Sequence, residues 1–291
     1  MHYVKAKGIL SQHNGMNIYR GCTHGCIYCD SRSACYRMSH DFEDIEVKEN
    51  ALELLETALR SKRKPCMIGT GSMSDPYLPL EEKLEYTRMA LMLIEKYGFG
   101  AALQTKSALV LRDLDLLRRI NESTKAVVQI TLTTADESLC RILEPYASTT
   151  GERVQALRIL RDNGIPTIVW LSPILPFIND TGENITAIIE GCADAGVKGI
   201  ICFGMGLTLR EGNREYFYKK LDEHFDGLKQ QYIARYGNSY EVSSPRNAAL
   251  MELFRGLCRK YNILHNNDEI FAYLNRFESK DEYSQLSFQG F

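Results

Sequence analysis

The chain has 291 residues, 44% hydrophobic and 25% charged, which excludes a disordered or fibrous protein and leaves room for one large domain or a domain with an appendage. With 35 basic and 37 acidic residues the formal net charge is -2, so the molecule as a whole exerts no electrostatic pull on nucleic acid or an anionic membrane. No apolar run reaches the length of a membrane span and the opening MHYVKAKGIL lacks a signal-peptide core, so the expectation is a cytoplasmic protein without a membrane partner, whose nine cysteines are not disulfide staples.

In chain order, a short strand is expected near 16–19, ahead of the segment GCTHGCIYCD at 21–30. A helix follows over 47–59 and ends in the basic run RSKRK. CMIGT (66–70) reads as a buried strand, the turn-rich GSMSDPYLP comes next, and 80–97 has helical periodicity. The alternation then repeats: strands over 100–105, 126–134, 165–175 and 197–205, with helices over 109–120, 152–164 and 184–195 between them. Near-continuous apolar strands separated by amphipathic helices make a parallel sheet covered on both faces. Six strands fit an α/β fold of partial (β/α)6 TIM-type barrel better than a full eightfold barrel, with an open doubly wound sheet as the alternative. Beyond residue 213 strand signals stop, and 216–236, 245–261 and 268–277 read as helices; the expected division is a barrel over 1–213 and a helical C-terminal extension over 214–291.

Cys140, Cys192, Cys202 and Cys258 sit in apolar periodic segments and read as small buried hydrophobes. Cys22, Cys26 and Cys29 instead crowd a polar, glycine-punctuated loop, where closely spaced cysteines usually hold a metal. Three thiolates can ligate three irons of a cubane cluster and leave the fourth iron open to a small molecule. Cys35, six residues on, keeps a second reading alive: four cysteines could close a structural zinc site or a fully ligated cluster. His24 reads as a hydrogen-bonding loop residue rather than a ligand.

Ligands of parallel α/β folds bind at the carboxyl ends of the strands, so residues that follow strands are the informative ones. GTGSMSDP follows the strand at 66–70 and supplies Ser72, Ser74 and Asp75 in a tight turn. Lys106 follows the strand at 100–105, an awkward position for a mere helix-opening cation. Ser107 reads as the cap of the next helix. Gln129, Thr131 and Thr133 alternate along one strand and could line the barrel with polar groups.

CxxxCxxC with an aromatic residue before the last cysteine, here Cys22, Cys26, Tyr28 and Cys29, resembles the signature of radical S-adenosylmethionine (SAM) enzymes. The segments NIYRGCTHGCIYCD, GTGSMSDPYLPLE, LQTKSALVLRDLDLL, EPYASTTGERVQALRILRDNGIP and SPILPFIND further resemble the spore photoproduct lyase-like and DNA repair photolyase-like subgroup, and LMELFRGLCRKYNILHNNDEIFAYLNRF resembles the branch known as radical SAM mobile pair proteins. The resemblance implies a [4Fe-4S] cluster on the three cysteines, SAM on the open iron, and reductive cleavage to a 5′-deoxyadenosyl radical that abstracts hydrogen from a substrate. It implies Ser74 at the methionine amino end with Ser72 and Asp75 beside it, Lys106 at the carboxylate, and Tyr28 against the adenine or the cluster loop; the alternating Gln129 and Thr131 read as a polar face toward the ribose. It also implies a reductant such as flavodoxin or ferredoxin, a partner radical SAM protein, and a nucleic-acid lesion as substrate. Arg20, Arg32, Arg37, Lys5 and Lys7 are the basic groups nearest the loop, and weak, salt-sensitive DNA binding is expected.

One departure is informative. Spore photoproduct lyase carries a hydrogen-donating cysteine and a relay tyrosine at the positions matched here by Ser72 and Asp30, neither of which can replace them. If there is a donor it then comes from elsewhere: Cys35, the first choice, Cys66, Tyr77, the substrate itself or returned 5′-deoxyadenosine. The rival from another class is a non-catalytic iron-sulfur or zinc binding module acting with a partner. The tail QLSFQGF has a partial likeness to peptides that bind the bacterial sliding clamp; Gln289 and Gly290 interrupt its hydrophobic pair, and a plain unstructured tail is the stronger expectation.

Overall fold

Short strands with unbroken apolar sequence are stable only where both faces are covered, and the computed structural model, which describes residues 1–280, covers them. Strands β1 (His2–Val4), β2 (Gly15–Met16), β3 (Tyr19–Arg20) and β4 (Glu46–Lys48) come first. Then β5 (Met67–Thr70), β6 (Gly100–Thr105), β7 (Ala126–Thr131), β8 (Thr167–Trp170) and β9 (Gly199–Ile201) alternate with helices, and β10 (Gly206–Thr208) and β11 (Glu241–Ser243) follow. The main sheet runs β2-β5-β6-β7-β8-β9, every pair parallel, so the six-stranded partial barrel expected from the alternation is present. A separate sheet, β1-β4-β3, braces the loop that follows β3.

The period-two rule separates two cores. Val128 and Ile130 of β7 face outward into the large core with Leu116, Leu117 and Leu157 of the covering helices. Val127, Ile168 and Ile201 face inward and meet Ile270 and Leu274 of the helix Asn267–Asn275. The chain reaches that position by extending the sheet: Leu264 bridges Gly199 in parallel, and the Ile200 amide donates to the Leu264 carbonyl at 2.8 Å. Lys125 fastens the end of this segment by donating to the carbonyls of Tyr273 (2.6 Å) and Arg276 (3.0 Å). The C-terminal segment is thus the floor of the barrel.

Three expectations need correction. The helix over 80–97 is broken at Glu85, whose φ of 54° lies in the left-handed region and separates Glu81–Leu84 from Tyr86–Lys96. The helix Glu137–Leu143 was not foreseen, although Asp136 caps it by accepting from the amides of Ser138 and Leu139. Strand signals do not stop at residue 213, because β11 pairs antiparallel with β10. Helices Asn213–His224 and Leu228–Tyr236 bury Phe217, Leu221 and Tyr232 in one cluster with Ile27, Tyr28 and Leu143, so the extension shares a core with the cysteine loop. The clamp-like tail lies outside the described residues. Among those residues no helix is long and apolar enough to cross a membrane.

Candidate active site

The cysteine loop is held by backbone pairing to distant segments: the Ile27 amide donates to the Leu143 carbonyl (3.0 Å), the Tyr146 amide to the His24 carbonyl (3.1 Å) and the Cys22 amide to the Phe42 carbonyl (3.1 Å). Gly21 turns the chain with φ of 87°, and a Cβ there would stand 2.4 Å from the Phe42 oxygen, so no other residue fits without moving the loop. The Gly21 carbonyl accepts from the Ser74 hydroxyl at 2.6 Å, which ties the cysteine loop to the loop after β5.

Asp75 makes a second tie. It accepts from the Tyr77 amide (2.9 Å), the Thr105 hydroxyl (2.6 Å) and the Lys106 amide (2.7 Å), and its Oδ2 lies 3.1 Å from His24 Nε2. Burial alone would raise this carboxyl, but His24 first, then the Thr105 and Lys106 donors, hold it below the ordinary aspartate value. Lys106 points into the site with Nζ 5.9 Å from the centre of the Tyr28 ring. Burial would lower its pKa; the negative potential of Cys26 and Glu144 outweighs that and raises it.

Behind Tyr28 lies a fully buried ion pair. The Tyr28 hydroxyl donates to Glu144, which pairs with Arg153; Arg153 also donates to the Thr131 carbonyl at 2.7 Å. The aromatic residue of the cysteine signature is therefore oriented from the rear by a charged pair on the following β7 crossover.

The thiols fit a cluster. Burial, with Cys29 and Asp75 nearby, pushes the Cys22 thiol up to about 12, and burial pushes Cys26 well above its ordinary value, so their thiolates need local positive charge such as bound iron supplies. A zinc ion about 2.3 Å from each thiolate draws sulfurs to roughly 3.8 Å apart. Among the described residues the only three histidine, cysteine or carboxylate groups with ligand atoms within 4.8 Å of one another are His2, His40 and Asp44, so the loop thiols stand wider than one ion would hold them. Cys35 is exposed, its Sγ 3.2 Å from Arg210 Nη1, and does not join them.

A cavity of about 540 Å³ opens at the carboxyl ends of the strands. It brings together Cys26, Tyr28 and Cys29 with Lys106 and Thr131. Gln129 stands one step back and accepts from the indole of Trp170, which does line the cavity, at 2.9 Å. Ser74 and Asp75 are buried behind the wall, engaged as described, and Ser72 is exposed on the same loop.

The proposed hydrogen donors are not at the cavity. Cys66 precedes β5 and so stands at the amino end of the sheet, opposite the site. Tyr77 is buried, its hydroxyl donating to Asp113 at 3.1 Å. Cys35 is exposed against Arg210 and is not among the residues that line the cavity. Of the basic groups, Arg32 pairs with Glu43 and sits between the rings of Phe42 (4.3 Å) and Tyr216 (3.8 Å), and Arg20 donates to the carbonyls of Tyr36 (2.6 Å) and Arg37 (3.1 Å). Both hold the loop's shape. Sequence reasoning missed Trp170, Phe203, Glu241 and Asn247, all cavity residues; the rule that sites follow strands would have found the first two.

A partial parallel barrel with three clustered cysteines, a lysine and an aromatic at its carboxyl mouth defines a cluster-and-cofactor protein. The radical SAM superfamily model matches residues 16–190, and the chain belongs to that superfamily, whose cofactors are a [4Fe-4S] cluster and SAM. An uncharacterized protein of Mycobacterium tuberculosis (strain ATCC 25618 / H37Rv) is 27% identical over 256 residues, covering 85% of this chain and 74% of that one. A "Radical SAM Nalpha-GlyT isomerase" of Pseudomonas phage M6 is 25% identical over 180 residues, 62% of this chain and 36% of that one. A spore photoproduct lyase mutant with bound AdoMet and dinucleoside spore photoproduct shares the fold at a TM-score of 0.62 and 15% identity, covering 87% of this chain and 74% of that one.

Proposed function

We propose that this radical SAM enzyme abstracts hydrogen from a nucleobase of a nucleic-acid substrate, without the cysteine and tyrosine relay of spore photoproduct lyase. The observation that carries the reading is the convergence of Cys26, Cys29, Tyr28 and Lys106 on one cavity at the barrel mouth. When bound, the cluster supplies the electron that cleaves the sulfonium of SAM to a 5′-deoxyadenosyl radical. Cys22, Cys26 and Cys29 hold the cluster, and Lys106 offers its ammonium to the methionine carboxylate. Asp75 serves indirectly, by fixing the Lys106 backbone. Glu144 and Arg153 hold the Tyr28 ring as one wall. The dinucleoside spore photoproduct bound in the lyase structure of the same fold supports a base as the reacting group. The absence of the relay is supported by the side chains at the two positions, since Asp30 carries no phenol and Ser72 no thiol, and by Ser72 lying outside the residues that line the cavity.

A small cytoplasmic reductant such as flavodoxin or ferredoxin would deliver the electron, and a partner radical SAM protein would share the pathway. The test is anaerobic reconstitution, reduction, and measurement of 5′-deoxyadenosine and methionine, followed by transfer of deuterium from labelled bases in an oligonucleotide into 5′-deoxyadenosine. Label transfer supports the reading. Failure to form 5′-deoxyadenosine in a protein that carries its cluster favours the non-catalytic binding module instead.

A further inference from the structure

The mouth of the cavity carries an aromatic shelf that the cofactor residues do not explain. Phe203, two residues past β9, lines the cavity and yet is 66% exposed. A large apolar side chain in that state has an unpartnered face. Its other contacts are ordered: the Phe203 ring stacks on Phe271 at 6.1 Å and 28°, and Trp170 lies 6.1 Å from Phe203 and 6.0 Å from Phe271. The bond from Trp170 to Gln129 pins the indole, and Phe271 rises from the floor helix whose Ile270 and Leu274 are rooted in the inner core. The shelf is therefore set before any ligand arrives.

Charge around the mouth selects further. Asp30 and Glu241 line the cavity, and Lys106 is the one lysine or arginine among its lining residues, deep beside Tyr28 and Cys26. The Asp30 carboxylate is already engaged, accepting from the Tyr36 hydroxyl (3.0 Å) and facing Arg210 Nε at 3.6 Å, so a phosphodiester entering the cavity would meet the Glu241 carboxylate and no lining cation except the deep Lys106. A neutral ring with N–H donors would meet a π-surface and acceptors.

We propose that the cavity takes a single planar nucleobase, stacked on Phe203 and Trp170 with an N–H toward Glu241, while sugar and phosphate stay outside. This rests on the nucleobase reading above and narrows it to an unsaturated ring presented without phosphate contacts. Stacking on an aromatic face is worth enough to matter, about tenfold in affinity or more per base.

Trp170 is the single tryptophan of the chain, so its fluorescence reports on the shelf directly. The anaerobically reconstituted full chain with SAM is titrated with thymidine, with 5,6-dihydrothymidine, which keeps the hydrogen-bonding groups but loses the planar ring, and with thymidine 5′-phosphate. Expected results are saturable quenching by thymidine, binding of the dihydro compound weaker by about tenfold, and no gain from the phosphate. Phe203→Ala, safe for folding because the residue is exposed, weakens thymidine by about tenfold, and Phe203→Tyr restores it. Equal binding of thymidine and its dihydro form, tighter binding of the phosphate, an unaltered Phe203→Ala titration, or no quenching at all overturns the proposal. The same preparations are assayed for 5′-deoxyadenosine: radical formation without base binding removes the shelf and leaves the radical reading, and base binding without radical formation does the reverse.

Discussion

Removing Arg153 by Arg153→Met keeps volume and helix propensity but leaves Glu144 fully buried between Tyr28 and the Cys140 thiol, with Lys106 as its remaining cationic neighbour. Breaking a buried pair from one side costs about 3–5 kcal/mol, because the desolvated partner is left without compensation. Four attachments are lost together: the Glu144 pair, the donations to the Thr131 carbonyl and the Thr149 carbonyl (3.4 Å), and the contact with Cys140 Sγ at 3.1 Å. In a chain of this size each kcal/mol is about 2–4 °C of Tm, so a fall on the order of 10 °C is expected. The pH dependence gives the diagnostic. Burial would raise the Glu144 carboxyl, but Arg153 and then Lys106 hold it below the ordinary value, so in the parent it contributes stability above that value and loses it as pH falls through the folded one. Without Arg153 burial dominates, the carboxyl rises and the acid form is tolerated, so the variant's deficit shrinks on acidification from about pH 8 to about pH 5. Thermal unfolding across that range is the assay. A deficit below about 1 kcal/mol, or one that grows on acidification, refutes the account of this pair as a desolvated charge couple.

Gly71→Ala places a Cβ 1.9 Å from the Gln104 carbonyl oxygen at φ of 99°, and soluble yield and Tm should both collapse, whereas Gly98→Ala, with open space but φ of 68°, loses only about 1 kcal/mol. Asp75→Asn removes a carboxylate held below the ordinary aspartate value by His24 and the Thr105 hydroxyl, so the gap in Tm from the parent is full near neutrality and narrows as pH falls below about 4. Cys35→Ala keeps the visible absorption of the reconstituted protein and Cys29→Ala loses it; loss in both makes Cys35 a ligand.

The parallel strands were legible because burial on both faces demands continuous apolar sequence, and AVVQIT or TIVW admits little else. β10 and β11 were not, since GLT and EVS are three residues long with 32 residues between them, and only their pairing makes them strands. The cysteine triad and Lys106 were legible from spacing and from their place after strands. Asp75 looked like a cofactor contact in the sequence and proves to be the post that fixes Lys106 and His24, a role carried by partners 31 and 51 residues away that no local pattern reveals. Cys66 could have been set aside earlier, because a residue that precedes a parallel strand faces the wrong end of the barrel. Glu144 and Arg153 sit in the segment EPYASTTGER, where the helical period alone gives no sign that both charges are interior.

The shared core between Ile27 and Tyr28 at one end of the chain and Phe217, Leu221 and Tyr232 near the other has a bearing on biosynthesis. About two hundred residues separate the two halves, so at ribosomal speeds of about 5–20 residues per second the cysteine loop waits tens of seconds without its backing. Docking of the late helices then supplies the apolar backing behind Ile27 and Tyr28, while Cys26 and Cys29 keep facing the cavity.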